Sequence, residues 1–379
     1  MTVNLKKLPD PIFITDREPF LRMIHSFLKE DKLAVDTEAN SLHAYQEQVC
    51  LIQLSSVEKD YIVDPFALDD LSALGEIFFD PTIEKIFHAS EYDLNILYDD
   101  FGFEFQNLFD TMLAARILGR KKLGLDSLLE EFAGVQSNKK YQRANWGQRP
   151  LTDDMLRYAQ KDTHYLIKIR DALAEELRDS GRWAIAQEDF SLACKVHRRP
   201  KKEKLPPCWR IHGSQDLSPQ KAAILENLCA FRDRVARQKD QPLFKILGNK
   251  TLLALAESAP KSKQTFESLP VTQNTNVKRY KEALWEAIQK GWEASPLLPP
   301  ERERPDRDTL DRLHALKNWR KKKAREVGLN SAVILPRFLV AEIAKENPKT
   351  RAELGEILSD VPLRFEHYWK ELLTVLSHY

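Results

Sequence analysis

The second half of this chain is written twice, and that repeat limits the possible folds more than any other feature. A shift of 88 residues, with no gap, lays Leu228 on Leu316 and Phe231-Arg232 on Trp319-Arg320. It also lays Ala236-Arg237 on Ala324-Arg325, Leu247 on Leu335 and Ala256 on Ala344. Pro260-Lys261 meets Pro348-Lys349, Phe266 meets Leu354, Tyr280 meets Tyr368 and Leu284 meets Leu372. Helical periodicity alone could align leucines, but not the aromatic-Arg pair, the Pro-Lys pair and the Tyr as well. The pattern is that of a duplicated all-helical module. Two proline-rich, highly charged breaks frame the copies. One is Cys194–Lys204 followed by Pro206-Pro207, and the other runs from Ser295 to Arg307. The expected division is 1–192, a basic linker 193–214, copies at 215–294 and 306–379, and a linker 295–305.

Charge follows the same division. The 379 residues carry 58 Lys+Arg and 57 Asp+Glu, a net +1. Residues 1–180 hold 21 basic and 32 acidic side chains, or −11, which leaves +12 for the rest. An acidic front and a basic back suggest two jobs. A duplicated basic module suits binding better than catalysis, so the chemistry is expected in the front. No stretch approaches 18 apolar residues, which excludes a membrane-spanning helix. The first ten residues lack an apolar core of signal-peptide length, so a cytoplasmic protein is the expectation. Cys50, Cys194, Cys208 and Cys229 have no C-x-x-C spacing, so neither a zinc knuckle nor a disulfide framework is expected.

The front half alternates strand-like and helix-like runs. Residues 32–39, 48–55, 60–63, 84–88 and 107–109 read as strands. Residues 69–79, 92–99, 111–118, 125–131 and 153–179 read as helices. Strands that first pair directly and then alternate with helices imply an α/β domain with a mixed sheet.

Three pieces of this half carry candidate chemistry. Asp36 and Glu38 sit at i and i+2 of a strand and project to one face. Asp93 falls near the start of a helix after the strand EKIFH. Tyr158 and Asp162 sit at i and i+4 of a helix, on one face. Each piece alone has an ordinary structural reading: a polar strand end, a first-turn acid, a half-buried Tyr beside a solvated Asp. Together they make four carboxylates and a phenol. Four carboxylates carry about −4, which two divalent cations would neutralise, and oxygen ligands suit magnesium or manganese. Two such ions are an arrangement that cleaves phosphodiesters. Tyr158, with an ordinary pKa near 10, is a poor base and is better read as orienting the attacking water. His164 lies on another face and reads as a packing residue.

The runs VDTEA and LIQLS, HASEYDLNIL followed by FDT and AARILG, and NWGQRPLTDDMLRYAQKDTHYL resemble the three motifs of the DEDD exonucleases. The Tyr four residues before the last Asp resembles the DEDDy branch. Over residues 10–379 the chain resembles the ribonuclease D family, in which two helical HRDC domains follow one exonuclease domain. The resemblance implies a ribonuclease-H-like (DnaQ-like) α/β domain with a mixed sheet, followed by two all-α HRDC domains. It implies a metal-dependent 3′→5′ exoribonuclease that releases nucleoside 5′-monophosphates, with tRNA precursors and small structured RNAs among its substrates. By position, Asp36, Glu38, Asp93 and Asp162 correspond to the metal ligands and Tyr158 to the water-orienting group. Asn145 stands where many of that family carry Asp.

Around these five, Thr37, Leu42, Tyr45, His88, Tyr92, Lys140, Trp146 and Arg149 are candidates for holding an RNA 3′ end by stacking and phosphate contact. For Trp146 the competing reading is a loop anchor. The runs Arg198–Lys202 and Arg320–Lys323 are candidates for phosphate contact, or else solvated faces. A DNA 3′→5′ exonuclease and a non-catalytic nucleic-acid scaffold are the competing functions. The absence of a G-x-x-x-x-G-K-[ST] loop counts against a helicase-type fusion. A monomer acting on RNA, with no membrane partner, is the expectation.

Overall fold

The computed structural model describes residues 8–136, 139–195, 205–300 and 305–379. The basic run Arg198–Lys202 lies outside the described residues. Among them, no helix is long and apolar enough to cross a membrane. The chain forms two compact units. One comprises residues 1–39, 49–199 and 304–379, the other residues 40–48 and 200–303.

The first unit is built on a six-stranded mixed sheet of order β1-β4-β3-β2-β5-β6. Its strands are β1 (Ile12–Ile14), β2 (Lys32–Ala39), β3 (Val49–Ser55), β4 (Asp60–Val63), β5 (Glu84–Phe87) and β6 (Leu108–Asp110). β2, β3 and β4 pair antiparallel, while β1 joins β4, β5 joins β2 and β6 joins β5, all in parallel. The expected mixed sheet is present. β1 and the helix after it, α1 (Arg17–Phe27), were not anticipated, β1 being only three residues long. β3 is buried along its whole length, as a central strand covered on both faces should be.

Helices α2 (Ser72–Phe79), α3 (Glu91–Phe101), α4 (Thr111–Ile117) and α5 (Leu125–Ala133) follow the strands in order. The run 153–179, expected as one helix, is two: α6 (Asp153–His164) and α7 (Leu166–Asp179). Each half buries a different face. Ala159 and Met155 of α6 pack with Leu51, Ile62 and Trp146. Leu166, Ile169 and Leu173 of α7 enter the main core. His164 Nδ1 meets Asp60 Oδ2 at 2.8 Å and pins the last turn of α6 to β4. α8 (Trp183–Cys194) closes this part of the chain.

The helical copies keep the 88-residue offset in three dimensions. In the second unit, α9 (Pro219–Gln238), α10 (Leu243–Ile246) and α11 (Asn249–Ser258) are followed by α12 (Lys263–Glu267), α13 (Thr275–Arg279) and α14 (Lys281–Glu293). In the first unit, α15 (Arg307–Glu326), α16 (Ser331–Ile334) and α17 (Arg337–Glu346) start and end 88 residues after α9, α10 and α11. They continue as α18 (Arg351–Ile357) and α19 (Pro362–Leu376). The Arg232 guanidinium donates to Leu247 O at 3.1 Å, and that of Arg320 to Leu335 O at 2.9 Å. Phe231 meets Tyr280 edge-on at 5.6 Å, as Trp319 meets Tyr368 at 5.5 Å. The aromatic-Arg pair and the Tyr recur because together they hold the bundle: the ring packs and the arginine ties a buried carbonyl.

The two copies differ in surroundings. The second shares a unit with the six-stranded sheet. Arg364 of α19, 1% exposed, meets Glu188 at 2.5 Å and Asp189 at 2.7 Å, both on α8. Leu363 N donates to Glu188, and Lys195 pairs with Asp360 at 2.6 Å. Cys208 and Cys229, expected to be unpaired, form a disulfide in the second unit with Cα atoms 6.1 Å apart. Folding brings together two residues whose 21-residue separation carries no signature in sequence.

Candidate active site

The site forms where the sheet, α3 and α6 meet. The β2–β3 register sets Ala34 opposite Ser55, Asp36 opposite Gln53 and Glu38 opposite Leu51. Ser55 Oγ lies 2.7 Å from Thr163 Oγ1 of α6, so the face carrying Asp36 and Glu38 is the one α6 covers. Asp162 thereby comes to Asp36 and Glu38 from above. Thr37, between them, points to the other face and donates its hydroxyl to Asp93 Oδ1 at 2.5 Å. Asp93 occupies the first turn of α3, where the helix dipole favours a carboxylate.

Asp110 organises the approach to α3. Its buried carboxylate caps α4 by accepting from Met112 N and Leu113 N at 2.8 and 3.0 Å. It also accepts from Ala89 N at 3.2 Å, Ser90 N at 2.8 Å and Ser90 Oγ at 2.9 Å. Ala89 has φ 61°, a left-handed conformation that costs a non-glycine residue strain. Asp110 therefore fixes the loop that delivers Asp93. It appears in the FDT run, but nothing in the sequence marks Ala89 and Ser90 as its partners.

The electrostatics of Asp36 and Glu38 reflect the nearness of Asp93 and Asp162. Burial, followed by repulsion from Asp93, Asp162 and Glu38, holds Asp36 well above the usual carboxylate range. Glu38 is raised for the same reasons, by burial and then by Asp162 and Asp93. Burial pushes Asp93 up to about 7, against the Thr37 hydrogen bond. Asp162 is likewise pushed up to about 7, chiefly by burial and then by the charge of Asp126. Burial and the neighbouring carboxylates raise the Tyr158 phenol further above its ordinary value. Its ring is held between Tyr141, edge-on at 5.8 Å, and Trp146 at 6.1 Å.

Among the described residues, no three His, Cys, Asp or Glu side chains stand together as a ready-made metal site. The donor set nonetheless fits divalent cations: four buried carboxylates and no sulfur, with Asp36 and Glu38 raised by the charges of Asp93 and Asp162.

The expected substrate residues separate. Trp146 is 1% exposed and packs in a cluster with Leu51, Ile62 and Tyr158, the arrangement of the loop-anchor reading. Arg149 is also turned inward. Its guanidinium donates to Asp64 at 2.6 and 2.7 Å and to the carbonyls of Trp146 and Cys50. Thr37 is occupied by Asp93. His88 Nδ1 lies 2.9 Å from Thr111 Oγ1, and burial pushes its imidazole pKa down. Tyr92 is 47% exposed on α3. Lys140 is exposed, 3.5 Å from Asp154 and over the Tyr141 ring. Leu42, 41% exposed, and Tyr45 lie in the second unit. There the Tyr45 hydroxyl donates to Asp233 at 2.7 Å, and the Arg237 guanidinium lies over its ring.

Residues 11–178 match the family described as 3′-5′ exonuclease, and residues 221–288 and 309–376 each match the HRDC domain. The chain is 35% identical over 265 residues to the Arabidopsis thaliana protein RRP6-like 2, across 66% of this chain and 30% of that protein. It is 30% identical over 368 residues to the exosome complex exonuclease RRP6 of Saccharomyces cerevisiae, across 88% of this chain and 50% of that protein. It thus spans half or less of the length of these curated relatives. The crystal structure of Escherichia coli RNase D, an exoribonuclease involved in structured RNA processing, superposes with a TM-score of 0.69 at 25% identity. It covers 98% of this chain and all of that one. Fold and site thus define a 3′-5′ exonuclease domain joined to two HRDC domains. Within that class the chain is similar to both RNase D of E. coli and RRP6 of S. cerevisiae, and the likeness singles out neither.

Proposed function

We propose that this chain is a metal-dependent 3′→5′ exoribonuclease that releases nucleoside 5′-monophosphates from RNA 3′ ends. One observation carries the reading: β2, α3 and α6 bring four buried carboxylates together, so that Asp93 and Asp162 act on both Asp36 and Glu38, beside a phenol that stays protonated and so cannot serve as a base. Carboxylates that repel in this way stay ionised together only when a cation sits among them. Asp36, Glu38, Asp93 and Asp162 would hold two divalent cations, magnesium or manganese. The ions, when bound, would supply Lewis acidity for the attacking water and offset charge on the leaving oxygen. Tyr158 orients that water through its hydroxyl, with the ring fixed by Tyr141 and Trp146. Thr37 and Asp110 hold Asp93 in place. Exposed Tyr92 offers a stacking face for the terminal bases.

The domain reading is 1–192 for the exonuclease domain, 215–294 and 306–379 for the HRDC domains, and 193–214 and 295–305 for the linkers. The substrates we favour are tRNA precursors and other small structured RNAs. RNase D of E. coli, whose described role is in structured RNA processing, supports that choice. The test offers 3′-labelled single-stranded RNA, a tRNA precursor and DNA, with magnesium or manganese, to wild type and Asp36→Ala. Mononucleotide release from RNA by wild type alone is expected. Equal release by Asp36→Ala would sink the site. Equal degradation of DNA would favour a DNA exonuclease.

A further inference from the structure

Gln53 lies at the centre of β3 and is fully buried, between Ile52 and Leu54. Neither end of its carboxamide has a hydrogen-bond partner among the described residues. An amide left unpaired in a dry interior destabilises a fold, and such groups concentrate where a site needs them. In the antiparallel register Gln53 stands directly opposite Asp36. Residues opposed in this way share a face, with Cβ atoms about 4.5–5.5 Å apart. That face is the one covered by α6, as the Ser55–Thr163 contact two residues along β3 shows. On its other side Gln53 is opposite Ile62, which has no polar side-chain atom to offer. The amide therefore has one polar cross-strand neighbour, and that neighbour is a presumed metal ligand.

Asp36 has the complementary deficiency. Its carboxylate accepts a hydrogen bond from the Thr37 backbone, and the side chains acting on it from β2, α3 and α6 are all carboxylates that repel it. We infer that Gln53 is a positioning residue for Asp36: its Nε2–H, without a partner among the described residues, would donate to the Asp36 carboxylate opposite it when that carboxylate holds a cation. The inference rests on the exonuclease reading above. A neutral donor suits the role. A lysine at this position would neutralise Asp36 and compete with a cation, whereas an amide orients the carboxylate and leaves its charge in place. Partners that orient a metal-ligating carboxylate typically contribute 10–100-fold to metal affinity.

Gln53→Met keeps the length and bulk of the side chain and removes the donor. Mn²⁺ affinity of the folded protein, titrated by the EPR signal of unbound Mn²⁺ well below the unfolding temperature, should fall about 10–100-fold. The metal-free Tm should rise, because an apolar chain replaces an unpaired amide. A residue that only fills the core would give the reverse: unchanged Mn²⁺ affinity and an unchanged or lower Tm. Wild-type Mn²⁺ affinity in Gln53→Met overturns the inference. So does failure of both Gln53→Met and Gln53→Leu to fold, since the amide would then be supporting the sheet itself. Asp36→Asn separates the two levels. If it binds Mn²⁺ as wild type does, the metal-site reading fails. If it loses Mn²⁺ while Gln53→Met keeps it, only the role of Gln53 fails.

Discussion

Tyr158 and Asp110 show two ways in which one side chain serves this site. Tyr158 offers a hydroxyl on a ring gripped by Tyr141 and Trp146. Tyr158→Phe keeps the grip and removes the hydroxyl. Turnover on RNA should fall by about 10²-fold, as for loss of one positioning hydrogen bond in a transition state, with Mn²⁺ affinity and Tm near wild type. Near-normal turnover would refute the water-orienting role. Asp110 acts at one remove, gathering backbone N–H groups from the starts of α3 and α4. Asp110→Ala leaves buried donors unpaired and should cost about 2–3 kcal/mol, read from urea unfolding. The convergence of Asp36, Glu38, Asp162 and Tyr158 was legible because their spacing in strand and helix places them on shared faces. The inward packing of Trp146 and Arg149 was not legible, because an aromatic and a cation beside a site look alike in sequence whether they face solvent or the interior. Asp64 and the Cys50 carbonyl, across the fold, show where Arg149 points.

The elements are held by a few close approaches. α14 crosses α9 at Gly291, where an added Cβ would stand 2.4 Å from the Ile224 Cα. Gly291→Ala should therefore force the helices apart and lower the stability of the first helical copy by about 1–3 kcal/mol, visible as an earlier thermal transition. α19 meets α8 through the buried Arg364, Glu188 and Asp189. Arg364→Leu strands two buried carboxylates and should cost about 3–5 kcal/mol. Burial pushes Asp189 up to about 6, against the pull of Arg364. Its folded pKa thus exceeds the ordinary value near 3.9, and the folded state binds the proton more tightly. Asp189 is neutral in both states below that value, and its ionisation costs stability progressively as pH rises to about 6. Asp189→Asn should flatten this part of the stability profile, measured as urea midpoints between pH 4 and 7. An unchanged profile would show that Asp189 does not titrate there.

At the scale of the molecule, the acidic front and basic back remain two jobs, but the boundary is not a simple cut. The −11 of the first 180 residues includes the four carboxylates that cations would neutralise. The second helical copy, counted with the basic half, shares a unit with the catalytic sheet and tucks Val333 into its main core. Deleting residues 205–379 should therefore weaken RNA binding and also lower the Tm of what remains. RNA affinity of the whole chain should fall steeply with salt, linearly in log–log form, if basic side chains contact phosphates. A flat salt response would remove that role. The sequence by itself determined the α/β front, the 88-residue duplication and the carboxylate set, because periodicity and spacing report which residues share a face of a strand or helix. Tertiary structure alone decided the break between α6 and α7, the inward turn of Trp146 and Arg149, the Cys208–Cys229 bond and the docking of the second copy. It also placed Gln53 opposite Asp36. Each of these depends on what lies across the fold, where burial and charge act between residues far apart in the chain.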